Sequence, residues 1–251
     1  VGYDEVAALK VADGQEITLH EQTNYPFEEK ISFTVNTTED VRFPFYLRIP
    51  SWCDQPELAI NGKQKEIDPI PGKYIYIDRT WTDGDKVELN LPMKLSIHTW
   101  QVNKNSVSVN YGPLTLSLKI NEEYIQKDSR STAIYDSRWQ EGADATQWPS
   151  YEIFPKSPWN YALVLDSKVP LKNFKVIRKE WPSDNFPFTV SNVPLEVKAI
   201  GKQIPSWTLD KYGLCSELPE TNAPKGDREE ITLIPMGAAR LRVSAFPNTY
   251  E

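Results

Sequence analysis

Two cysteines, two histidines and a few closely spaced acidic pairs are the residues of this 251-residue chain with the chemistry for covalent or acid–base catalysis. A cysteine nucleophile needs a cation or base beside it to hold the thiolate. Arg48 lies five residues before Cys53, but strand alternation between them does not bring the two side chains together. Cys53 and Cys215 show no metal-type spacing and both read as small buried side chains. His20 and His98 are isolated. Carboxylate catalysis of glycoside hydrolysis needs two Asp or Glu about 5 Å or about 6.5–9.5 Å apart across the scissile bond. Asp83 and Asp85 flank Gly84, where aspartate ordinarily bonds its own backbone in a turn. Glu229 and Glu230 follow a polar loop and read as solvated. No catalytic residue and no metal ligand is assigned.

Aromatic rings offer a second chemistry, stacking against the C–H faces of sugars. Trp52, Trp81 and Trp207 lie beside strand ends or turns, where rings anchor cores. Trp139, Trp148 and Tyr151 lie instead in or beside a polar stretch without alternation. They are the candidate carbohydrate-binding residues, with local packing and docking on a neighbouring domain as competing uses.

The elements that must position these residues are strands. Phe43, Phe45, Leu47 and Ile49 recur with period two, alternating with Arg42, Pro44, Tyr46 and Arg48. Ile31, Phe33 and Val35 alternate likewise, as do Ile75 and Ile77, and Val87, Leu89 and Leu91. Asn61-Gly62 predicts a hairpin between Glu57–Ile60 and a partner at Lys65–Ile67. Ser106–Tyr111 and Leu114–Leu118 complete the first half. Residues 120–158 break the rhythm: Asn121–Gln126 suggests a helical turn, and Ser129–Ser150 reads as irregular. Strands are expected again at Tyr161–Leu165, Phe174–Ile177, around Leu195–Ala199, at Glu230–Ile234 and at Ala239–Ala245, the last ended by Pro247. The tetrapeptide Ile-Pro-Ser-Trp occurs at Ile49–Trp52 and again at Ile204–Trp207. The expected fold is all-β, two antiparallel β-sandwich domains in tandem over residues 1–119 and 120–251.

Composition bounds the partners. The net charge is −7 and no basic cluster appears, which argues against nucleic acid. No apolar run is long enough to span a bilayer. The chain opens on Val1 without a methionine or signal peptide, and is expected to be a piece of a longer protein.

Four stretches of the first half resemble a β-domain of the bacterial glycoside hydrolase family typified by β-L-arabinofuranosidases, family 127. They are Leu47–Cys53, Ala59–Gly62, Asp78–Asp85 and Asn110–Leu114; Ser157–Ala162 and Leu233–Pro247 extend the likeness into the second half. The resemblance implies a larger enzyme in which an (α/α) barrel carries catalysis, through a cysteine held with a glutamate and further cysteines around zinc. None of those residues carries over, since neither cysteine here sits in a cysteine-cluster motif. The expected function is therefore a non-catalytic C-terminal accessory region, with no activity and no cofactor of its own, zinc belonging to the absent catalytic domain. Its expected partner is that N-terminal domain, in a periplasmic or secreted parent acting on plant-type glycans. A carbohydrate-binding module for arabinose-containing glycans and an interaction or cell-surface sandwich domain are the alternatives.

Overall fold

Period-two patterning in the first part of the chain becomes strands β1 (Asp4–Lys10), β2 (Glu16–Thr23), β3 (Lys30–Thr37), β4 (Val41–Arg48), β5 (Glu57–Ile60), β6 (Lys63–Lys65), β7 (Tyr74–Trp81) and β8 (Asp85–Asn90). The structure, a computed structural model, describes residues 4–68, 70–133, 138–211 and 213–251. One antiparallel sheet runs β1-β2-β3-β8-β5-β6, and β4 pairs with β7 from Val41↔Trp81 to Arg48↔Tyr74. The inward residues of both sheets share one core: Val35, Leu58, Val87 and Leu89 from the larger sheet, Phe43, Leu47, Ile77 and Trp81 from the smaller. Two sheets that bury one face each against the other form a sandwich. Trp81 is fully buried, stacks on Phe43 with centroids 5.6 Å apart, and donates its indole N–H to the Phe43 carbonyl at 2.9 Å.

The turns follow their residues, with one register correction. Asn61 and Gly62 both take positive φ, 50° and 72°, and close Ile60 directly onto Lys63. Such a two-residue turn makes pairing resume at once, so the partner strand is Lys63–Lys65 rather than Lys65–Ile67. In the Asp83-Gly84-Asp85 turn, Asp83 Oδ1 accepts from the Thr37 backbone N–H and from Asn36, reaching across to β3. Asp85 is only 5 % exposed. Its carboxylate accepts from Asn61 Nδ2 at 2.6 Å and the Thr82 N–H at 2.9 Å, and pairs with the Arg79 guanidinium at 3.2 Å. That guanidinium lies 5.0 Å from the centre of the Trp81 ring, so one carboxylate ties the hairpin, the turn and the core ring together.

The rest of the chain forms β9 (Leu95–Trp100), β10 (Ser106–Tyr111), β11 (Leu114–Leu118), β12 (Glu122–Lys127), β13 (Ser150–Pro155), β14 (Tyr161–Leu165), β15 (Lys175–Arg178), β16 (Leu195–Gln203), β17 (Arg228–Pro235) and β18 (Asn248–Tyr250). A second sheet runs β18-β14-β16-β17-β11-β10-β9, with β15 also on β16, and β12 and β13 pair as a separate ribbon. By compactness the chain divides into residues 1–96 with 110–114, and 97–109 with 115–251. The expected division lies between 119 and 120, with Leu114–Leu118 closing the first half. In the structure Leu116–Leu118 pairs with Leu233–Pro235. Alternation identifies a strand but not its distant partner.

Several elements differ from expectation. Asn121–Gln126 is no helical turn, since Glu122–Lys127 is a strand paired with Ser150–Pro155. Ala239–Ala245 is not a strand. The backbone N–H groups of Arg240 and Leu241 donate to Glu122 Oε1 and that of Val243 donates to Ser117 Oγ, so side chains take the place of ladder partners. Pro247 does not end the β structure either, because β18 follows it parallel to β14. Cys53 is fully buried as expected, whereas Cys215 is exposed.

The Ile-Pro-Ser-Trp repeat leaves a strand each time but turns differently. The first closes with Cys53 N–H on the Pro50 carbonyl, the second with Trp207 N–H on the Ile204 carbonyl, one residue earlier in the motif. In the second, Asn160 Nδ2 donates to the carbonyls of Ile204 (2.9 Å) and Trp207 (3.0 Å). Gln203 donates to Asn160 Oδ1, and Trp159 packs edge-on against Trp207. The Ser157–Ala162 stretch thus serves to hold this turn.

Replacing Asp85 by alanine strips buried partners on three segments, and we expect a loss of about 2–4 kcal/mol in urea unfolding. Asp83→Ala, at an exposed position, costs less. Burial tends to raise the Asp85 pKa, but hydrogen bonds from Asn61 and Thr82 and the Arg79 charge outweigh it, and the net direction is down. The unfolded chain therefore takes up this proton first as pH falls. The Asp85 contribution is full above the unfolded value of about 3.8 and is lost as pH falls through the folded pKa. Asp85→Asn should accordingly flatten the stability–pH curve below about pH 4 relative to the parent protein.

Candidate functional site

The two-stranded ribbon β12–β13 leaves large apolar side chains in solvent. Tyr124, Ile125, Tyr151 and Phe154 are all exposed. In the antiparallel register Tyr124 lies opposite Ile153, and Gln126 opposite Tyr151. Opposed residues share a face, so Tyr124 and Tyr151 are diagonal neighbours on one side. Their rings meet edge to face, 6.1 Å between centroids. The other side carries Glu123, Ile125, Glu152 and Lys127, joined by Lys127–Glu152 at 3.1 Å, while Lys156 pairs with Glu123 at 2.9 Å. Isolated ribbons of this size are marginal in water, and these charge pairs add support along the face opposite the tyrosines.

Glu122 locks the ribbon to the chain near its end. Its Oε1 accepts from the backbone N–H of Arg240 (2.8 Å) and Leu241 (3.0 Å), and its Oε2 from the Tyr124 hydroxyl (2.6 Å). The hydrogen bond to Glu122 is the main cause, burial the next, that push the Tyr124 phenol above its ordinary pKa. Beside this lock opens a cleft of about 510 Å³ lined by Lys119, Glu122, Tyr124, Phe188, Ser191 and Arg240, among others. Lys119 Nζ lies 2.6 Å from Glu196 Oε1, and Lys179 Nζ lies 2.6 Å from the same oxygen. Burial opposes ionisation of Glu196, but the two lysines more than offset it and lower its pKa. The cleft thus brings two rings, hydroxyls and fixed charges to one open concavity.

The three candidate aromatic residues have different settings. Tyr151 stands on β13 beside Tyr124. Trp148 is 69 % exposed, two residues before the strand, and its carbonyl accepts a hydrogen bond from Ser129 Oγ that brings the ends of the intervening loop together. Trp139 is half-buried within that loop. The structure pairs Tyr151 with Tyr124, which lies inside the expected helical turn and outside the three candidate rings. The Tyr-Ile pair within Glu122–Lys127 was a usable β signal. Lys119, Phe188 and Arg240 come from three other segments, and no spacing in the sequence links them.

The residues considered for catalysis are occupied elsewhere. Cys53 is buried, and burial raises its thiol pKa. Glu229 accepts from the Tyr161 hydroxyl at 3.1 Å and Glu230 pairs with Lys198 at 3.2 Å, and both stay exposed, in line with their reading as solvated residues. Burial first, then the Glu229 contact, raises the Tyr161 pKa to about 12. Among the described residues no three His, Cys, Asp or Glu side chains converge in a way that would hold a metal ion.

Comparison with known proteins places this architecture. Residues 5–93 match the family model described as β-L-arabinofuranosidase, GH127 middle domain. No curated protein matches the sequence significantly. Among solved structures, the GH127 β-L-arabinofuranosidase of Geobacillus stearothermophilus T6 is similar over 99 % of this chain, with 21 % identity and a TM-score of 0.59. A second GH127 β-arabinofuranosidase is similar over 99 % with 19 % identity and a TM-score of 0.61, and a structure titled a glycoside hydrolase over 97 % with 18 % identity and a TM-score of 0.58. The chain spans about one third of the length of these structures, 33–34 %. At such identities the likeness fixes the fold, all-β in both parts, and residues 5–93 carry the match to the GH127 middle domain.

The lock on Glu122 is open to test. In Glu122→Gln the Tyr124 phenol should titrate at lower pH than in the parent, read from tyrosinate absorbance with Tyr124→Phe as the reference. The same change should cost about 1–2 kcal/mol in unfolding, because a charged acceptor for two backbone donors is replaced by a neutral one.

Proposed function

We propose, from the premise that residues 5–93 match a β-L-arabinofuranosidase middle domain, that this chain is a non-catalytic accessory region of a glycoside hydrolase. The parent enzyme acts on plant-type glycans carrying arabinose or a related sugar, and the reaction takes place in a catalytic domain N-terminal to this region. That family match is the observation that carries the reading. The settings of the candidate nucleophiles and carboxylates support it. Cys53 is held as a buried thiol, Asp83 and Asp85 are engaged in turn and network bonds, and Glu229 and Glu230 have structural partners. A fold alone confers no activity, and zinc chemistry is assigned to the catalytic domain.

A second reading rests on the exposed Tyr124–Tyr151 pair, with Trp148 close by in sequence and the cleft beside Tyr124. On this reading the region also holds glycans for the parent enzyme, with Tyr151 and Trp148 as ring contacts. Trp139, half-buried in its loop, contributes less open ring surface than Trp148.

Residues 1–251 alone should release no aryl alcohol from an aryl β-L-arabinofuranoside, and the longer protein with its upstream region should do so. Turnover by the 251-residue chain would sink the non-catalytic assignment. For the second reading, calorimetric titration with arabinan and arabino-oligosaccharides should give heat that Tyr124→Ala and Tyr151→Ala reduce; absence of heat from the parent chain rejects it.

A further inference from the structure

The cleft beside Tyr124 has a charge balance that an uncharged sugar does not use. Glu122 is saturated, both of its oxygens accepting hydrogen bonds from the protein. Glu196 offers one carboxylate to two ammonium groups, Lys119 and Lys179, each 2.6 Å from the same oxygen. Hydrogen bonds leave the Glu122 charge in place, so Lys119, Lys179 and Arg240 stand against the carboxylates of Glu122 and Glu196 with one positive charge left over. Arg240, exposed at the cleft, makes no ion pair among the described residues, and its backbone N–H already binds Glu122. A chain of net charge −7 thus presents a locally cationic concavity. A guanidinium with an open fork pairs with carboxylates through two parallel hydrogen bonds.

We propose that this cleft binds a carboxylated sugar unit of the uronic type. Arg240, with Lys119 on the same cleft, takes the carboxylate; the Tyr124 ring takes a C–H face of the sugar; Ser191 Oγ, which already donates to Asn192 Oδ1, accepts from a sugar hydroxyl. The cleft volume of about 510 Å³ suits a mono- or disaccharide. Tyr124 is held in place for this by its hydroxyl bond to Glu122, and Lys119 by Glu196. The inference rests on the carbohydrate-binding reading above and adds the acidic group that the sugar must carry.

Calorimetric titration of the 251-residue chain with glucuronate, galacturonate, glucose, galactose, acetate and inorganic phosphate tests it. The uronates should bind at least tenfold more tightly than the matching neutral sugars and than acetate or phosphate. Arg240→Gln, checked for native circular dichroism and unfolding midpoint, should abolish the preference for uronates. Tyr124→Ala should weaken uronate binding while leaving the fold intact. Equal affinity for uronate and neutral sugar, or uronate binding unchanged in Arg240→Gln, overturns the proposal. Acetate or phosphate binding as tightly as uronate reduces the cleft to a simple anion site and overturns it too. If uronates fail while arabino-oligosaccharides still bind in a Tyr151-dependent way, the acidic-sugar assignment falls and the broader carbohydrate reading stands; if no sugar binds, both fall.

Discussion

Asp85 is the buried charge on which the first unit depends. It draws in the Asn61 hairpin, the Thr82 turn and the Arg79 guanidinium that covers the Trp81 ring. Trp81 in turn fixes the small β4–β7 sheet by stacking on Phe43 and bonding its carbonyl. A buried carboxylate is stable only when donors surround it, so these segments are placed by a shared need. The motif Asp78–Asp85, which carries part of the family resemblance, thereby has a structural purpose: it positions a core ring and the charge that braces it.

The second unit solves a related problem in a different way. Where its backbone leaves the sheet, polar side chains supply the missing partners. Glu122 receives the N–H groups of Arg240 and Leu241, Ser117 that of Val243, and Asn160 donates to the carbonyls of Ile204 and Trp207. Irregular chain held this way can stay close to a sheet without orphaned polar groups. It also brings Arg240 beside Tyr124, which creates the cleft. The candidate site is in this sense a by-product of satisfying backbone donors near β12.

Much of the fold was legible where one face of a strand is buried and the other wet. The stretch Arg42–Ile49 shows it well: Phe43, Leu47 and Ile49 are buried and Tyr46 is exposed, as the alternation predicts. Legibility failed where that contrast is weak. Both faces of β12–β13 are partly exposed, so Glu122–Lys127 has no alternation to read. Ala239–Ala245 failed for the opposite reason, since it alternates in composition but its N–H groups at Arg240, Leu241 and Val243 bond side chains, and among the described residues only the Val243 carbonyl takes a strand N–H, that of Leu118. Of the candidate site, Tyr151 was reached through the exclusion of rings that belong to cores, and its partner Tyr124 was not.

The sequence by itself determined the all-β character, the hairpin at Asn61-Gly62, the inward face of each alternating strand and the resemblance carried by Leu47–Cys53, Ala59–Gly62 and Asp78–Asp85, which fall within the matched residues 5–93. These are local properties, set by the side-chain period and by turn residues that tolerate positive φ. Tertiary structure alone decided that Leu114–Leu118 joins strands from the far end of the chain, and that Lys119, Tyr124, Ser191 and Arg240 line one cleft. Strand pairing and cleft formation depend on which distant segments satisfy one another's backbone groups and charges. Sequence spacing carries no measure of that distance.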